Sequence, residues 1–151
     1  MLRSDHPIAL PCVYKVDYDD VAGIDLAQSA ADVAVFTIPF RCQIILAALA
    51  ISETCGGTTP GQVDFDLRPT IGSDTDRGAA DIAHFLMGTT AAGKVLYDQV
   101  AVGTVLEPGQ EVVVEIKVQP VTNDAGHFYP ILLVEYLPET LANLDNMVET
   151  A

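Results

Sequence analysis

The chain has no tryptophan, and most of its five tyrosines and five phenylalanines fall at alternating, core-like positions. Sites that stack sugars on exposed aromatic rings are therefore poorly supplied. Bases are scarce, with 7 Lys and Arg against 21 Asp and Glu, giving a formal charge of −14. Such a chain is repelled by nucleic acid and by anionic membrane surfaces. The acids keep a chain that is 50% hydrophobic in solution. Histidine is limited to His6, His84 and His127, far apart and without ligand spacing, and no His-x-His pair exists. The three cysteines, Cys12, Cys42 and Cys55, are odd in number and lack recurrent spacing, which argues against a disulfide framework. Cys42 and Cys55 read as buried apolar thiols. No basic start leads into an apolar segment, so no secretory signal is expected, and folding in a reducing cytosol is. The longest unbroken apolar run, residues 44–51, has eight residues. A membrane-spanning helix needs about 20. There is no internal repeat and no low-complexity tract.

What is present is β patterning, and it centres on residues 106–139, LEPGQEVVVEIKVQPVTNDAGHFYPILLVEYLPE. The spacing predicts a long hairpin. Pro108 and Gly109 launch its first arm. Val112, Val114, Ile116 and Val118 share one face, with Glu111, Glu115, Lys117 and Gln119 opposite. Pro120 ends the arm, and Asn123, Asp124 and Gly126 supply turn chemistry. The second arm is apolar on both faces: Ile131, Leu133 and Leu137 on one, Leu132, Val134 and Tyr136 on the other. Such a strand lies inside a sandwich or presses its second face against a partner.

At 151 residues the chain makes one domain with its own core. Residues 1–20 read as an extended N-terminal arm, and residues 21–151 as the sandwich. Within the arm, Cys12, Tyr14, Val16 and Tyr18 alternate as in a short strand. One helical turn is expected near residues 26–31. From Ala34 to Ala50 apolar residues recur at period two, broken at Pro39 into two strands. The piece 44–51 fits a buried helix equally well. Residues 54–61 read as a loop and 62–68 as an alternating strand, with Val63, Phe65 and Leu67 opposite Gln62, Asp64, Asp66 and Arg68. Ile82, Phe85 and Leu86 at i, i+3 and i+4, followed by Gly88, predict a helix over 78–87. A strand follows over 94–102. Leu141, Leu144 and Val148 predict a short C-terminal helix. About seven strands with Gly and Pro turns make an all-β chain, a single β-sandwich.

No catalytic constellation stands out. Asp17, Asp19 and Asp20 lie together, as do Asp74 and Asp76. The run Asp74, Asp76, Gly78 has the opening of a calcium loop without its third early ligand or distal Glu. Paired carboxylates for hydrolysis need a cleft that sequence does not show. No phosphate-cradling loop is present. No catalytic residue, cofactor or metal ligand is assigned, and protein–protein assembly is the class that remains.

The segments PFRCQIILAALAISET, GQVDFDLRP, TAAGKVLYDQV, LEPGQEVVVEIK and YPILLVEYLPE, in that order across residues 33–139, resemble the small jelly-roll proteins of tailed-bacteriophage heads. These are the cement or decoration proteins of the outer capsid surface. The resemblance rests on strand order and turn placement. It implies a jelly-roll β-sandwich and a non-enzymatic structural virion protein, made in the bacterial cytoplasm. Its expected partners are the phage major capsid protein and further copies of itself, as a trimer or dimer, with no nucleic acid or membrane. On this reading Ile8, Leu10, Tyr14 and Tyr18 of the arm anchor the capsid contact, and Ile131, Leu133 and Leu137 face a partner subunit. Other roles of similar proteins stay open at this point: a tail, fibre or connector component, or a carbohydrate- or receptor-binding module displaying loops 54–61 and 70–78. A hydrolase or metal enzyme built on the scattered aspartates is a further alternative.

Overall fold

The apolar–polar alternation resolves into eleven strands in a computed structural model that describes residues 8–10, 12–14, 22–29, 31–71 and 81–137. They are β1 (Ile8–Ala9), β2 (Cys12–Tyr14), β3 (Ile24–Asp25), β4 (Asp32–Thr37), β5 (Cys42–Gly56), β6 (Gln62–Arg68), β7 (Asp81–Leu86), β8 (Val95–Asp98), β9 (Val105–Leu106), β10 (Glu111–Val118) and β11 (Ala125–Tyr136). Two antiparallel sheets form. The A sheet runs β1-β11-β5-β8, with β3 also on β11 and β9 on β5; the B sheet runs β2-β4-β10-β6-β7. The chain is an all-β sandwich, with no helix among the described residues.

Each sheet turns one apolar stripe inward. Ile44, Ala47, Leu49, Phe128, Leu132 and Val134 of the A sheet meet Phe36, Val63, Phe65, Phe85, Val112 and Val114 of the B sheet in one core cluster. Phe65 is central: its ring centroid lies 6.0 Å from that of Phe36 and 5.3 Å from that of Phe85. A fully buried Phe removes roughly 150–250 Å² from water, which makes it a main source of core stability. Gly126 (φ 131°) lets the start of β11 pass over Cys55, where a Cβ would stand 3.1 Å from the Cys55 Cα and Sγ.

Several expectations need correction. The hairpin over residues 106–139 does not form, because its arms lie in different sheets. β10 pairs with β4 and β6, whereas β11 pairs with β5. The link between them crosses the sandwich, with Thr122 (φ 60°) and Asn123 (φ 57°) in the left-handed region, which turns the chain out of the β10 direction. The helix over 78–87 is instead β7 where it is described. A bulge sets Phe65 opposite Ala83 but Asp66 opposite Asp81, so Ile82 is an extra residue. Ile82, Ala83 and Phe85 are all buried while Leu86 is exposed, and this broken alternation imitates helical spacing. Residues 26–28 form a turn, not a helical one, with the Ala27 N–H donating to Asp25 Oδ1 at 2.8 Å. Residues 44–51 are strand, and β5 continues to Gly56, which shortens the loop to 57–61. The strand expected over 94–102 is confined to β8 and β9 follows separately. The C-terminal helix lies outside the described residues.

Phe65→Ala is expected to lower unfolding free energy by about 3–5 kcal/mol in urea titrations. Val100→Ala, at an 82% exposed position, is expected to stay within about 0.5 kcal/mol of the parent chain.

Candidate functional site

The two outer faces of the sandwich differ in chemistry. On the A sheet, residues of β11 alternate: Phe128, Leu132 and Val134 point into the core, and Tyr129, Ile131 and Leu133 point out, half-buried. Register carries this apolar outer row across the sheet. Ile131 stands opposite Ala48, and Ala48 opposite Tyr97; Tyr129 stands opposite Ala50, and Ala50 opposite Val95. The small alanines lie covered between these larger flanks, Ala48 completely. Tyr97 is 64% exposed and Val95 46%. A second register shift, between Leu133 and Val134, makes Ile45 an extra residue beside Leu46. These two, with Tyr97, Asp98, Gln99 and Val102, line a shallow open groove at the β8 edge. Exposed Val100, Val102 and Val105 extend the patch.

Polar pairs close both ends of this face. Gln43 Nε2 donates to Glu135 Oε2 at 2.7 Å at one end, and His127 pairs with Glu53 at the other. An apolar centre inside a polar rim is the usual anatomy of a protein–protein interface. Next to the groove, Asp98 Oδ2 of the A sheet accepts from the His84 N–H of the B sheet at 2.8 Å. That bond fixes the β8 edge to the other layer.

The B sheet has a polar outer face whose centre is nonetheless closed to water, while Asp81, His84 and Lys117 at its margin are exposed. Arg68, Glu111, Asp64 and Asp66 are all buried, and Val113 sits among them at 1% exposure. Arg68 Nη1 donates to Glu111 Oε2 at 2.9 Å and Nη2 to Asp32 Oδ2 at 3.3 Å. Burial, together with hydrogen bonding to Asp81 and Glu115, pushes the Asp66 carboxyl up to about 7. This face was missed in the sequence. Gln62, Asp64, Asp66 and Arg68 read only as the polar side of an alternating strand, and the one signal is the matching polar stripe Glu111, Glu115 and Lys117 on the strand that is its neighbour.

The predicted contact residues separate. Ile131 and Leu133 lie on the A-sheet outer face, and Leu137, half-buried, follows β11, its N–H donating to the Arg41 carbonyl at 3.0 Å. Leu10 is buried in the chain's own core, its N–H donating to the Leu132 carbonyl at 3.1 Å. Ile8 pairs through its backbone with Val134, and Tyr14 with Ala34. The described part of the expected arm is thus built into the edges of both sheets. Tyr18, His6, and the aspartates at 17, 19, 20, 74 and 76 fall outside the described residues. Burial, then the nearby Glu107 charge, pushes the Cys42 thiol up to about 11, and burial and Glu53 raise Cys55. Neither is poised as a nucleophile.

No protein-family model matches the chain, and no curated protein sequence does. Among solved structures, its fold is similar to that of a chain in the capsid of Ralstonia phage GP4. The TM-score is 0.50 and the identity 20%, over 83% of this chain and 92% of that one. At that identity the likeness is one of fold.

A carboxyl that titrates near 7 in the folded chain and at 3.8 when unfolded has a defined effect on stability. Both states are protonated below pH 3.8, so the contribution is fully present there. Between pH 3.8 and about 7 the native state binds the extra proton, so stability falls as pH rises and the contribution is lost above that range. Asp66→Asn is expected to remove a slope of at most about 1.4 kcal/mol per pH unit from denaturation measured in metal-free buffer. Parallel pH profiles for parent and variant would show that Asp66 ionises normally. In a second measurement, mass mapping after treatment with a thiol reagent is expected to find Cys42 and Cys55 unmodified until the chain unfolds.

Proposed function

We propose that the chain is a structural protein of a phage virion, which binds the outside of the capsid shell and clamps neighbouring major capsid subunits. The observation that carries this reading is the apolar outer face of the A sheet, presented by half-buried Ile131 and Leu133 and exposed Val95 and Tyr97 and bounded by polar pairs. The fold shared with a phage capsid chain supports a place in the virion. A charge of −14 suits a location away from packaged DNA. The reading is non-enzymatic: the surface offers burial, not chemistry.

A shell under internal pressure separates at its subunit junctions. A protein seated across a junction opposes this by the apolar area it buries in both neighbours. A stable contact of this kind needs at least about 1,200 Å² of buried surface. We place the contact on the A-sheet face; of the expected arm, β1 and β2 already complete the edges of the chain's own sheets. The same face is the surface on which copies of the chain would associate with one another.

Sedimentation with purified capsids lacking this protein tests the reading. The expected result is saturable co-sedimentation at a fixed ratio to the capsid subunit, surviving high salt because the contact is apolar. Tyr97→Glu and Ile131→Asp, each checked for an unchanged unfolding midpoint, are expected to cost about 2 kcal/mol or more of binding. Absence of co-sedimentation, or full binding by both variants, would sink the proposal.

A further inference from the structure

We propose that Asp64, Asp81 and His84, with Asp66 and Glu115 beside them, form a divalent-cation site on the outer face of the B sheet. It lies on the other sheet from the apolar face, meeting it at the β7–β8 edge where the His84 N–H donates to Asp98, and does not rest on the capsid reading.

Three adjacent strands bring the five groups together. Asp64 and Asp66 are two apart on β6 and so share a face. Glu115 of β10 and His84 of β7 stand opposite Asp64 on its two sides. Asp81 stands opposite Asp66, and it does so only because of the bulge. In regular register Asp66 would face Ile82, an apolar residue. Bulges of this kind re-aim side chains next to functional sites.

The local geometry suits a cation. One donor atom each from Asp64, Asp81 and His84 lies within 4.8 Å of the others. His84 Nδ1 is 2.8 Å from Asp64 Oδ1. Independently, Asp66 is only 4% exposed, and its Oδ1 has no hydrogen-bond partner, while its carboxyl meets those of Asp81 and Glu115. A buried carboxylate oxygen without a donor costs free energy that a bound cation would recover. Lys117 Nζ, 3.4 Å from Glu115, offsets part of the charge, and Gln62 Nε2 donates to both Asp64 oxygens at 3.2 and 3.0 Å. Gln62 and Lys117 thus act as a supporting ring around the carboxylates.

The donor set is mostly carboxylate oxygen with one imidazole nitrogen. That mixture favours a first-row divalent ion, Mn²⁺ or Zn²⁺, because Ca²⁺ takes oxygen ligands. The ion would tie β7, the edge strand of its sheet, to β6 and β10.

The test is titration of the full chain with Mn²⁺, followed by amide NMR and by thermal unfolding. One equivalent is expected to broaden resonances selectively around residues 62–66, 81–85 and 113–117 and to raise the midpoint. Zn²⁺ is expected to compete, and Ca²⁺ at equal concentration is not. Asp81→Asn and His84→Gln, both at exposed positions, should each weaken binding at least about tenfold. Broadening spread over the whole acidic surface, saturation only above about 1 mM, or unchanged affinity in both variants would overturn the site. Displacement by Ca²⁺ would overturn the assignment to a first-row ion. The broadening pattern on the unmodified chain decides even if a variant folds poorly.

Discussion

The antiparallel pairing of β5 with β11 is the constraint on which the rest of the structure depends. These are the two longest strands, and their ladder runs from Gly56 opposite Ala125 to Cys42 opposite Tyr136. Every other strand of the A sheet is placed by one of them: β1 and β3 on the free edge of β11, β8 and β9 on the free edge of β5. The pairing also sets which side chains face in. A slip of one residue would turn Phe128, Leu132 and Val134 to water and drive Glu135 inward. Three register shifts interrupt the ladder, one at Ile45 and two toward the Gly56 end, and between them, from Phe128 to Leu133, the inner and outer rows keep their identity.

The β class was legible because alternation at period two is a local property. β6 begins and ends where the residues 62–68 say it should, and Pro39 does mark the passage from β4 to β5. Partnership is not local. Most consecutive strands here sit in opposite sheets, so β10 and β11 look like a hairpin in the sequence and are opposite layers in space. β7 was misread for a different reason. A bulge removes the alternation by which a strand is recognised, and it leaves Ile82, Phe85 and Leu86 at the i, i+3 and i+4 spacing of a helical stripe.

The same logic explains what was readable of the surface. The double apolar character of β11 stood out, and Ile131 and Leu133 do lie on an outer apolar row. Their companions Ala48, Ala50, Val95 and Tyr97 could not be assembled in advance, because only the register of β5 with β8 and β11 unites them. The polar face of the B sheet was hidden more deeply. Charged residues at every second position are the mark of a solvated strand face, and nothing in the residues themselves shows that Asp64, Asp66, Arg68 and Glu111 are buried. Each outer face thus departs from simple expectation: the apolar one keeps exposed Val95 and Tyr97 at its edge, and the charged one has a buried centre.

The β1 contact has a consequence for the order in which the chain can fold. Residues 8 and 9 pair with residues 133 and 134, and β5 waits for β11 as its main partner. A ribosome releases the early segment long before the late one. The A sheet therefore cannot close during most of synthesis, and the apolar edge of β5 must remain unpaired until residues 125–136 emerge. Folding dominated by such distant pairings is slow and exposes strand edges while it proceeds. The finished fold flanks its longest ladder with strands of two to four residues, whereas the nascent chain presents the unpaired edge of β5 to its neighbours, and soluble yield will depend on how quickly residues 125–136 arrive.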